Sequence, residues 1–239
     1  MTKSNYEVEV LINGKPVKEY IHDGKVYIEG RKETRFSLRL RNNSWQRKLF
    51  IPSIDGLSVM NGEECSFDSS VYIVKPYSSV TIDGWRVSDS EVAEFYFSSS
   101  SDSYRKRMGK GNNLGVIGVA VFSEKYKMPI INSFYCNHSQ TEFPRYTLSS
   151  ATALNNASLS TSGASVRSMS QDLGTGWGES KRSEVVSVEF DRENHEDTMF
   201  EIFYNTREQL QKLGINFKRE PLYVTPQSFP GQFCKPPKY

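Results

Sequence analysis

The chain has 239 residues, 37% of them hydrophobic and 13% aromatic, with 30 basic against 28 acidic side chains and a formal net charge of +2. A near-neutral balance provides no global field to draw the chain to nucleic acid or to an anionic membrane, so any basic site must be local. No apolar run approaches the roughly 20 residues that a spanning helix needs, so no membrane is expected.

The first elements are short β-type runs with turn residues between them. Glu7–Ile12 alternates apolar and polar residues, Asn13-Gly14 is a two-residue hairpin signal, and Val17–Tyr20 returns. Asp23-Gly24 then turns the chain into Val26–Ile28, and Phe36–Leu40 and Leu49–Ile51 follow. Asp55-Gly56 and Asn61-Gly62 bracket Leu57–Val59; Val71–Val74 precedes Pro76, and Val80–Ile82 runs into a further turn signal at Asp83-Gly84. Val92–Phe97 and the apolar run Val116–Phe122 close the series, the latter of the kind buried on both faces. This density of turns predicts a mainly β protein, an antiparallel β-sandwich of jelly-roll-like type, over residues 1–125.

Ser98–Asn113 is rich in Ser and Gly and reads as a long exposed loop between two core strands. Residues 126–183 form a second region: Met128–Tyr135 fits one more strand, while Thr147–Gly178 is dominated by Ser, Thr, Ala, Asn and Gly and reads as extended or irregular. Residues 184–239 form a third, packed on the sandwich or on a neighbour. There Val185–Phe190 and Met199–Tyr204 read as a hairpin, Asn205 with Glu208 as a capping box, and Gly214 as the stop of one short helix. An extended tail from Lys218 interleaves Pro221, Pro226, Pro230, Pro236 and Pro237 with Tyr223, Phe229, Phe233 and Tyr239. Proline keeps such a stretch extended while the aromatics supply contact area, so those four aromatics are the interface candidates.

Cys65, Cys136 and Cys234 are an odd number spread over the chain, and Met-Thr-Lys-Ser-Asn-Tyr at the start has no apolar leader segment. The expectation is free thiols in a reducing compartment. Cys136 and His138 stand two apart, a spacing that puts both on one face of a strand, yet no C-x-x-C or H-x-x-H spacing completes a metal set. No catalytic residue, cofactor or metal is assigned. Arg105, Lys106, Arg107 and Lys110 concentrate charge in one loop, but no wider basic face extends it, so nucleic acid is not an expected partner. Gly109–Gly115 and Gly174–Gly178 lack the Gly-Lys-Ser/Thr ending and following helix of a phosphate loop. Trp85, between Gly84 and Arg86, reads as a core anchor; Trp45, among Asn and Ser, reads as exposed and is the candidate platform for a sugar ring.

Ile51–Val59, Tyr72–Arg86 and Gly115–Phe122, with Phe200–Leu213 more faintly, resemble β-rich proteins encoded by bacteria, phages and large DNA viruses. The resemblance implies a virion-associated role and carries no catalytic residue. Taken with arms that cannot form cores alone, it leads to the expectation of a non-enzymatic structural protein of a viral particle. Such a protein would be a minor capsid, cement or decoration protein, made in the host cytoplasm, homo-oligomeric and binding other virion subunits. The alternative is a carbohydrate-binding β-sandwich acting through Trp45.

Overall fold

Left-handed turns fix the N-terminal hairpins: Asn13 and Gly14 have φ of 50° and 73°, Asp23 and Gly24 48° and 72°, and Asp55 and Gly56 53° and 74°. Paired positive φ at Asn/Asp-Gly matches the right-handed twist of two antiparallel strands. The computed structural model describes residues 1–125 and 170–217. Among these it is mainly β, in three sheets.

A five-stranded sheet has the order β1 (Thr2–Lys3), β2 (Tyr6–Ile12), β6 (Ser37–Asn42), β10 (Ser78–Ile82), with β3 (Lys15–Pro16) on β2. A seven-stranded sheet runs β4 (Glu19–His22), β5 (Lys25–Glu29), β15 (Arg192–Asn205), β13 (Val116–Glu124), β7 (Lys48–Ile54), β8 (Leu57–Ser58), with β9 (Tyr72–Val74) also on β7. A three-stranded sheet holds β11 (Gly84–Arg86), β12 (Glu91–Ser99) and β14 (Leu173–Arg182). All strand pairs are antiparallel except β15 with β5, where Ile202 lies opposite Val26 and Tyr204 opposite Ile28.

The period of two along each strand builds one core between the sheets. Val8, Val10, Leu38 and Leu40 face Phe50, Ile54, Ile117, Val119, Phe200 and Ile202, and Trp85, Phe95, Phe97 and Leu173 of the three-stranded sheet join them, all buried. The arrangement is sandwich-like. Phe36 stacks on Phe97 with centroids 4.4 Å apart, and Trp85 meets Phe95 edge-on at 5.3 Å. The other face of the large sheet carries Leu49, Ile51, Ala120 and Phe122 at one end and Tyr27 under helix α2 (Arg207–Leu213) at the other.

Several expectations need correction. Asp83-Gly84 is no hairpin turn: β10 and β11 lie in different sheets, and Gly84 is required because a Cβ there would stand 2.1 Å from the Ala93 carbonyl oxygen. Leu173–Gly178, assigned above to an irregular stretch, is the start of β14, paired with β12 from Ser99 to Glu91. Val185–Phe190 forms no strand; Val186 and Val188 are exposed, and the partners of β15 are β13 and β5. Ser98–Asn113 is not an open loop: a 3-10 turn at Ser100–Asp102 and the one-turn helix α1 (Tyr104–Arg107) are capped by the hydroxyls of Ser99 and Ser103. The cap of α2 is Thr206, not Asn205, which ends β15, while Gly214 stops the helix at φ 107° as its position predicts. Met128–Tyr135, Cys136, His138, most of Thr147–Gly178, and Tyr223, Phe229, Phe233 and Tyr239 lie outside the described residues.

Candidate functional site

Two turns meet at one end of the sandwich, β6 to β7 and β9 to β10. Both are held by Asn42, the last residue of β6, whose side chain is fully buried. Its amide Nδ2 donates to the carbonyl oxygens of Gln46 (2.7 Å), Val74 (3.1 Å) and Lys75 (3.2 Å). Its Oδ1 accepts the Ser44 N–H at 3.0 Å and the Ser44 hydroxyl at 2.6 Å. The Tyr77 N–H completes the junction by donating to the Ser44 carbonyl at 3.2 Å. A buried amide used this fully fixes both turns against each other.

Each turn then displays one aromatic ring. Trp45 is 68% exposed and Tyr77 72% exposed. Tyr77 adopts φ 50°, a left-handed conformation costing an L-residue roughly 1–2 kcal/mol. That cost is not offset by burial of the ring. In the sequence Tyr77 is marked only by its place after Lys75-Pro76, where the chain must turn.

The basic loop is largely neutralised from within. Arg105 is buried, with Nη2 2.7 Å from Glu64 Oε1 and Nη1 2.9 Å from the Asp55 carbonyl. Lys110 pairs with Glu63 at 2.6 Å, and Lys106 donates to Asn112. Arg107 remains on the surface. Beneath this loop Tyr104 lies between Trp85 and Trp177, 4.9 Å from each, and the indole N–H of buried Trp85 donates to Gly176 at 3.0 Å.

Among the described residues Asp55 is the most deeply buried carboxylate, 1% exposed. Its Oδ1 accepts the Tyr204 hydroxyl and the Gly115 N–H, each at 2.7 Å, and its Oδ2 accepts the Thr175 N–H at 2.9 Å. Burial pushes this carboxyl up to about 6, against the opposing pull of those hydrogen bonds. Burial and the facing carboxylate also raise the Tyr204 phenol well above its usual range. The group ties the β7–β8 turn, β13, β14 and β15 together, a packing role. Asp197 is its counterpart near the surface. Burial raises its carboxyl, but donation from Tyr6 (2.5 Å), Lys48 (3.0 Å) and Ser123 (2.9 Å) outweighs burial and lowers it below the usual value.

Among the described residues these features define a mainly β, sandwich-like fold whose most exposed aromatics sit on turns fixed by a buried amide. No protein-family model, no curated protein and no solved structure matches the chain. Among the described residues no helix is long and apolar enough to cross a membrane, and no three His, Cys, Asp or Glu side chains cluster in a way that could hold a metal ion.

Proposed function

We propose that this chain is a non-enzymatic structural protein that works through protein–protein contacts, as a minor capsid, cement or decoration protein of a viral particle. The jelly-roll-like architecture, which rests on the density of turns, and the virion location and homo-oligomeric state, which rest on the sequence resemblance taken with the arms, belong to the same proposal. The observation that supports a contact role is the pair Trp45 and Tyr77, exposed and held rigid by Asn42. Rigid Trp and Tyr side chains contribute large contact area at small entropic cost and are over-represented among the residues that dominate protein interfaces. Light scattering of the purified chain across a concentration range is the first test. Association that is lost in Trp45→Ala/Tyr77→Ala, with unchanged thermal unfolding, supports the reading; a strict monomer that also fails to bind assembled shells refutes it.

The same two rings favour one second reading, carbohydrate recognition, because a sugar ring stacks on an exposed aromatic face flanked by polar turn groups. Saturable glycan binding lost in Trp45→Ala would select it, and no binding across a broad glycan set would remove it.

A further inference from the structure

The edges of the three sheets are not alike. A strand at a sheet edge exposes a row of backbone N–H and C=O groups, and chains blunt such edges with charge, proline, bulges or short length. Among the described edge strands, β1, β3, β8, β9 and β11 have three residues or fewer, β4 carries Glu19 and His22, and β14 carries Glu179, Lys181 and Arg182. β10 has none of these devices. Its five residues, Ser78-Ser-Val-Thr-Ile82, hold no charge and no proline, and they pair with β6 without a bulge, from Ser78 opposite Asn42 to Ile82 opposite Leu38. On its other side β10 pairs with no strand among the described residues.

The side chains along this edge alternate. Ile82 is buried and Val80, half-buried, packs on the main core, while Ser79 and Thr81 are exposed on the opposite face. On that outer face Ser79 and Thr81 lie opposite Arg41 and Arg39 of β6, whose charges are already matched by β2. Arg39 Nη2 is 2.5 Å from Glu9 Oε2, and Arg41 Nε is 3.5 Å from Glu7 Oε2. A chain approaching this edge therefore meets no unpaired charge on β10 or β6.

Such an edge suits pairing with itself. Antiparallel pairing about a two-fold axis brings the same set of side chains together from both copies, so a charged edge would crowd like charges. With the axis at Val80, β10 sets Val80 against Val80 and Ser79 against Thr81, apolar on apolar and hydroxyl on hydroxyl. A strand pair alone makes a small interface. The same axis brings Tyr77, which precedes Ser78 and is exposed, alongside the Ile82 end of the second copy's strand, where its ring extends the contact.

Resting on the homo-oligomeric reading proposed above, we infer that β10 pairs antiparallel with β10 of a second copy about a two-fold axis at Val80. The two five-stranded sheets then run on as one, and the half-buried Val80 of each copy is covered by the other.

Charge substitution at the two exposed positions tests this, because residue 79 of one copy faces residue 81 of the other. Ser79→Lys/Thr81→Lys and Ser79→Asp/Thr81→Asp are each expected to weaken self-association about ten-fold or more by light scattering, with unchanged thermal unfolding. An equimolar mixture of the two variants is expected to recover association as a one-to-one pair. Amide exchange in the wild type gives a second reading that needs no variant: exchange within Ser78–Ile82 is expected to slow as the concentration rises and the chain associates. Association untouched by either double variant, a mixture of folded variants that stays monomeric, or exchange in β10 indifferent to association overturns the β10 pairing. Those results leave the contact role of Trp45 and Tyr77 standing, since that role is read from Trp45→Ala/Tyr77→Ala. A wild type that is strictly monomeric also overturns the pairing, whereas the structural role falls only if assembled shells are not bound either.

Discussion

Replacing Asp55 by Asn tests the buried network directly, because the amide keeps the size of the side chain and tolerates the left-handed φ of 53° that the turn requires. The carboxyl changes from an ordinary 3.8 to about 6 in the fold. Ionised Asp55 is therefore about 3 kcal/mol less favourable in the folded than in the unfolded chain. Well below pH 3.8 both states are protonated and the contribution of Asp55 to stability is fully present. As the pH rises towards 6 the unfolded chain releases its proton first, so stability is lost through that window and levels off above it. Asn does not titrate, but one of its N–H groups must face a backbone N–H, either Thr175 or Gly115, and the unpaired donor costs about 1–3 kcal/mol. Wild type is thus expected to exceed Asp55→Asn by about 1–3 kcal/mol at pH 4, and that advantage to shrink by roughly 2 kcal/mol by pH 7, part of the loss having occurred below pH 4. Urea denaturation followed by tryptophan fluorescence at intervals between pH 4 and 7 measures the difference, the other titrating groups cancelling between the two proteins. A difference that stays flat, or that grows with pH, would refute the reasoning by showing that the hydrogen bonds outweigh burial.

Tyr77→Gly relieves the left-handed strain and is expected to raise stability by up to about 1 kcal/mol while weakening whatever binding Trp45 and Tyr77 support, a split read by denaturation and binding on the same variant. Asn42→Ala strands carbonyls of both turns and is expected to cost about 2–4 kcal/mol in denaturant; a loss below 1 kcal/mol would mean that the turns hold themselves. Gly84→Ala forces a methyl into the Ala93 carbonyl and is expected to cost about 1–3 kcal/mol, with lost amide protection in β11 by hydrogen exchange.

Alternation and turn chemistry made most of the β architecture legible, since Asn13-Gly14, Asp23-Gly24 and Asp55-Gly56 encode their own φ angles. What was hidden depended on partners distant in sequence. Leu173–Gly178 has the composition of a linker, yet Gly174 and Gly176 serve close approach: a Cβ would stand 2.4 Å from Ser103 and 2.2 Å from the Tyr96 ring. Val185–Phe190 alternates well but pairs with no strand among the described residues. Arg105 sits in a polar run and is nonetheless buried, because Glu64 and the Asp55 carbonyl lie where only the folded chain brings them. For the candidate site, Trp45 stands out by its polar surroundings, whereas Tyr77 is marked in the sequence only by following Lys75-Pro76, and its conformation and the Asn42 bridge between two turns come from the fold.

The position of β15 has a consequence for synthesis. It pairs with β13 on one side and with β5 on the other, so the two halves of the large sheet have no shared edge until the chain beyond Arg192 is made. At ~5–20 residues per second, translation from Glu124 to Arg192 leaves both edges without β15 for on the order of 3–15 s. Nascent chains stalled in that interval lack the strand that joins β13 to β5, which makes this window the point at which a holding chaperone is expected most to improve the yield of folded protein.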